Sequence, residues 1–125
     1  KPLVGPSSIL LGLMASGLNG QRFAFQGYLP QETHERSNKL KQLETESRKL
    51  QQTQIWIETP YRNTAMLMAC IQSLAPQTLL CLGIDLSLPS EFISTLSIAQ
   101  WRKLYPNEAA CNSLQNRPTI FLLLA

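Results

Sequence analysis

The sequence predicts an α/β fold: a single layered domain with a mixed sheet of about five strands flanked by helices. Two observations carry that prediction. Segments with helical apolar spacing alternate with short apolar runs of strand length. The run from Thr78 to Ile84 is also almost continuously apolar, as in an interior strand covered on both faces. The chain has 125 residues, enough for one domain and not comfortably for two.

The elements follow in order. Gly5-Pro6-Ser7-Ser8 reads as a helix start, since proline is tolerated at the first helical position. That helix is expected to run to about Ser16 and stop at Gly17, with Asn19-Gly20 as a turn. Phe23 to Leu29 reads as a strand closed by Pro30. A polar helix is expected from Thr33 to Leu50, with Leu40, Leu43, Ser47 and Leu50 as a narrow core-facing stripe. Its other positions, with five basic and four acidic side chains between Gln31 and Leu50, predict a solvated face of nearly balanced charge.

Gln54 to Glu58 is a predicted strand ended by Thr59-Pro60, and Arg62 to Ala75 a helix burying Ala65, Leu67, Met68, Ile71 and Leu74. The strand within Thr78–Ile84 leads through Asp85-Leu86-Ser87 to a short strand from Glu91 to Leu96. The connection is short, so those two strands are expected to be antiparallel. A helix from Ile98 to Leu104 stops before Pro106, and Pro118 to Leu124 is the last strand.

Composition excludes several functions. The net charge of +3 comes from scattered basic residues, not from the clustered Lys and Arg of a nucleic-acid footprint. Cys70, Cys81 and Cys111 lack metal-ligand spacing and His34 is the one histidine, so no zinc site is expected. Free thiols in a reducing cytoplasm are the expectation. The apolar run Ile9 to Ala15 falls short of the ~20 residues a membrane span needs, and Pro6, Ser7 and Ser8 interrupt any signal-peptide pattern. Nucleophile elbows, Walker loops and G-x-G-x-x-G are absent.

The unusual features are strand ends and one helix start. Ligands of α/β sheets collect beyond the carboxyl ends of strands, where Glu58-Thr59 and Asp85-Leu86 fall. The helix start at Ser7-Ser8 offers unpaired N–H groups. On spacing alone, these residues read better as a helix cap, a local ion pair and a turn than as a ligand site.

Four segments in order resemble the tetrapyrrole methylase family, and within it the branch that methylates small-subunit rRNA. Leu3-Val4-Gly5-Pro6-Ser7-Ser8 resembles P-G-P-S-A, and Phe25-Gln26-Gly27-Tyr28-Leu29-Pro30 resembles F-x-G-F-L-P. Glu58-Thr59-Pro60-Tyr61-Arg62 resembles E-S-P-H-R. Asp85-Leu86-Ser87 with Glu91 is similar to R-E-L-T-K-x-x-E, with Ile84 and Leu88 in place of the arginine and lysine.

The resemblance implies an S-adenosylmethionine-dependent methyltransferase with the cofactor in a cleft between two domains. Residues 1–125 would be its C-terminal domain, inactive alone, with an N-terminal domain as partner. Lys1-Pro2-Leu3-Val4 reads accordingly as a linker. The positions matching cofactor contacts are Ser7, Ser8, Glu58, Thr59, Asp85 and Leu86. The resemblance also implies a cytoplasmic homodimer, with rRNA ribose or a tetrapyrrole as methyl acceptor and the catalytic residues left unnamed. The alternative is a stand-alone, non-catalytic α/β binding or dimerisation module. If one ligand gathers the three segments, they lie on one edge of the sheet.

Overall fold

The computed structural model describes residues 23–59, 62–84, 89, 92–106 and 119–125. The elements are β1 (Phe23–Tyr28), α1 (Thr33–Leu50), β2 (Thr53–Glu58), α2 (Asn63–Ser73), β3 (Leu79–Ile84), β4 (Phe92–Ser97), α3 (Ile98–Leu104) and β5 (Thr119–Leu124). The five strands form one mixed sheet in the order β1-β2-β5-β3-β4. The α/β fold expected from the sequence is present. The helix expected at 6–16 lies outside the described residues.

β1 and β2 are parallel, while β5 runs antiparallel to both β2 and β3. β3 and β4 form the expected antiparallel pair, from Leu79 opposite Ser97 to Ile84 opposite Phe92. β1, β2 and β3 therefore point the same way, and their carboxyl ends share one edge of the sheet.

Alternation assigns each strand residue to a face. Trp56, Leu80, Leu82, Ile84, Phe121 and Leu123 join the three described helices in the larger core. At its centre the rings of Trp56 and Phe121 stack 5.6 Å apart. Ile55, Ile57, Cys81, Ile120 and Leu122 form a second buried cluster on the opposite face.

α1 begins where Glu32 caps it, its carboxylate accepting from the backbone N–H groups of His34 (3.0 Å) and Glu35 (2.9 Å). These bonds hold the Glu32 carboxyl below its usual range. The helix ends at Gln51, whose left-handed backbone (φ 52°) turns the chain into β2. Leu40, Leu43 and Ser47 are buried as expected, but Leu50 is exposed. The contact with the sheet ends one turn earlier, where Ser47 Oγ accepts from the N–H of Ala125 at 2.9 Å.

The expected solvated face of α1 also needs correction, because Arg36 and Glu44 are buried. Arg36 donates to the carbonyls of Pro30 and Gln31, fastening the loop before the helix. Glu44 Oε2 accepts from Ala75 N and Thr78 Oγ1, tying α1 to the loop between α2 and β3. Buried charge is tolerated at both places because it is hydrogen-bonded.

α2 buries Leu67 and Ile71, followed by Leu74 just past its end, but Ala65 and Met68 are only half-buried. Asn63, Thr64, Met66 and Cys70 are buried instead. The helix packs against both α1 and α3, so a wider arc than one stripe is covered. α3 is fixed by a Ser97–Gln100 capping box and by Trp101, whose Nε1–H donates to Leu80 O at 2.8 Å.

Candidate functional site at the carboxyl ends of the strands

Strand register builds the site. Glu58, the last residue of β2, pairs with Thr119, the first of β5. Ile84, the last residue of β3, pairs with the same Thr119 from the other side. Glu58, Thr119 and Ile84 thus form one row at the edge where β2 and β3 end. Tyr28, closing β1, pairs with Ile57 one residue back from that row.

Each member has a local reason for its place. β1 reaches the edge through a bulge between Phe25 and Tyr28, where Gly27 adopts φ +73°. Just past Glu58, the N–H of Arg62 donates to Thr59 O at 2.9 Å. α2 begins immediately afterwards at Asn63, so the helix N-terminus opens beside the row. Asn63 Nδ2 donates to Thr119 Oγ1 at 2.9 Å, pinning the start of α2 to the start of β5.

Glu58 carries the distinctive chemistry. It is only 5% exposed. Its Oε1 accepts from Thr59 N at 2.8 Å and lies 3.4 Å from Thr59 Oγ1. Its Oε2 is buried and has no hydrogen-bond partner among the described residues. The edge therefore presents the main chain of Glu58 and Thr59 together with a buried acceptor oxygen.

Of the six positions singled out in the sequence, Glu58 and Thr59 stand at this edge. Asp85 and Leu86 lie outside the described residues, but they follow directly on Ile84, which is in the row. Ser7 and Ser8 also lie outside the described residues. Asn63 and Thr119 were not anticipated. Their signals are faint: an asparagine opening a helix, and a β-branched polar residue at the mouth of an apolar strand.

Among the described residues no group of three or more His, Cys, Asp or Glu side chains is placed to hold a metal ion. No described helix is long and apolar enough to cross a membrane. Cys70 and Cys81 are buried free thiols. Burial pushes both upward in pKa, an effect partly offset at Cys70 by the Arg36 charge and at Cys81 by hydrogen bonds involving Thr95 and Ser94.

No family model matches the chain. It is 31% identical over 99 residues to ribosomal RNA small subunit methyltransferase I of Vibrio cholerae, spanning 79% of this chain and 33% of that protein. It is 30% identical over 105 residues to the protein of the same name from Buchnera aphidicola, spanning 82% and 35%. A third, from Mesorhizobium japonicum, is 32% identical over 94 residues, spanning 75% and 31%. The chain thus spans about a third of the length of the curated relatives it matches. In fold it is similar to the crystal structure of the methyltransferase CobJ, with a TM-score of 0.57 and 15% identity. That match covers 92% of this chain and 46% of CobJ.

Proposed function

We propose that this chain, which belongs to the tetrapyrrole methylase family, is the C-terminal domain of an S-adenosylmethionine-dependent methyltransferase. The observation that carries the reading is the shared row at the sheet edge. Glu58-Thr59 ends β2 there, and Ile84, which leads into Asp85-Leu86, ends β3. Two segments that resemble family motifs are far apart in sequence and reach one edge, where ligands of α/β sheets collect.

The residues present fit the cofactor. It offers N–H donors, and the edge holds a buried carboxylate oxygen without a partner among the described residues. Its adenine and methionine parts would lie along the main chain of Glu58 and Thr59, of Asp85 and Leu86, and of Ser7 and Ser8. When bound, it supplies an electrophilic methyl on a sulfonium. This domain's task is positioning, which contributes to an in-line displacement by holding the reactants aligned. The catalytic residues belong in this reading to an N-terminal domain, and the enzyme works as a cytoplasmic homodimer. The names of the three relatives favour rRNA as the acceptor, with a tetrapyrrole ring as the other acceptor class of the family.

The test uses the full-length protein, with labelled S-adenosylmethionine offered alongside small ribosomal subunits or precorrins. Label transferred to rRNA is the expected result. Label transferred to the ring instead reassigns the acceptor. Failure of the protein to bind S-adenosylmethionine in calorimetry refutes the cofactor reading.

A further inference from the structure

Resting on that cofactor reading, we infer that the Glu58 side chain itself, and not only its backbone, recognises the cofactor: Oε2 accepts a hydrogen bond from one of its amino groups.

Three observations lead there. The carboxylate is buried, with Oε2 lacking a partner among the described residues. Its orientation is fixed, because Oε1 is held by the N–H of Thr59 at 2.8 Å. It also sits at the candidate site, in the row with Thr119 and Ile84.

Burying a carboxylate oxygen without a donor is costly, so the position calls for one supplied from elsewhere. The other buried carboxylate among the described residues makes the contrast. Glu44 gathers Ala75 N and Thr78 Oγ1 on one oxygen and serves as a structural tie. Trp56 Nε1 is also buried without a partner among the described residues. It is a neutral indole in the stacked core, however, and carries no charge to be offset.

The shared ligand chemistry is an N–H donor, available from the adenine 6-amino group or the methionine α-ammonium. The test is Glu58→Gln in the full-length protein. The amide oxygen must face Thr59 N–H, so the NH2 group takes the place of Oε2 and meets the ligand's donor with another donor. Affinity for S-adenosylhomocysteine is expected to fall roughly tenfold or more. The ligand-free melting temperature should hold or rise, because a buried charge is removed. Glu58→Met, which is of similar length without polar oxygens, should lose affinity in the same way.

Two analogues separate the sources. S-inosylhomocysteine lacks the 6-amino group, and 5′-methylthioadenosine lacks the α-ammonium. The penalty of Glu58→Gln should vanish with one of them, identifying the recognised group. Equal affinity of parent and Glu58→Gln for S-adenosylhomocysteine overturns the inference, as does a penalty that persists with both analogues. A parent that binds none of these ligands refutes the cofactor reading itself, a distinct result.

Discussion

Replacing Glu44 with alanine should be among the most damaging single changes in α1, although the residue lies in a helix that looks solvent-facing. Glu44 Oε2 accepts from two donors on another part of the chain, Ala75 N and Thr78 Oγ1, and Thr78 is buried. Hydrogen bonds to a charged group contribute roughly 1.5–3 kcal/mol each. Taking the lower figure for each bond, Glu44→Ala should cost about 3 kcal/mol. Glu44→Gln keeps an oxygen where Oε2 stands and should cost less than about 1.5 kcal/mol, since only the charge is lost. Urea unfolding followed by circular dichroism measures both, and an unchanged slope confirms that the same surface is exposed on unfolding. If Glu44→Ala lies within about 1 kcal/mol of the parent, or if the two variants are equal, the tie between α1 and the α2–β3 loop is not what holds them together.

Two further outcomes are expected. Gly27→Ala should destabilise by about 1 kcal/mol, because a Cβ at φ +73° is strained even though it would meet nothing within 4 Å; a thermal melt that matches the parent would show that the bulge relaxes freely. Stability should also fall as pH rises above about 9, the ordinary thiol value, because the unfolded thiols ionise there while burial keeps Cys70 and Cys81 protonated in the fold. Urea midpoints at neutral and alkaline pH test this, and Cys70→Ala, although weaker at neutral pH, should show a shallower alkaline decline.

Much of the fold was legible because local signals agreed with one another. The bounds of α1 match the expectation, since its stripe of Leu40, Leu43 and Ser47 has clean helical spacing. Leu50 continues that spacing and is nevertheless exposed, because periodicity does not reveal where the sheet beneath a helix ends. The burial of Arg36 and Glu44 was hidden for a related reason. Their partners are backbone groups of loops, which carry no signature in side-chain type. Within the site, Glu58 and Thr59 were legible as a polar strand end and through their resemblance to a family motif. Asn63 and Thr119 were not, since their hydrogen bond joins residues 56 positions apart. Only the placement of β5 between β2 and β3 brings them together.

That placement also sets how far apart the strand ends stand at the edge. With β5 inserted antiparallel, the ends of β2 and β3 are not neighbours but stand two strand spacings apart, about 10 Å. Thr119 occupies the gap, and its hydroxyl is engaged by Asn63 at the first residue of α2. The floor between the two strand ends is therefore assembled from a strand start and a helix start, with Glu58 on one side and the exit toward Asp85 on the other. The start of α2 is tied to this floor twice, through the Asn63–Thr119 bond and through the Arg62 N–H that donates to Thr59 O, the residue whose own N–H anchors Glu58 Oε1.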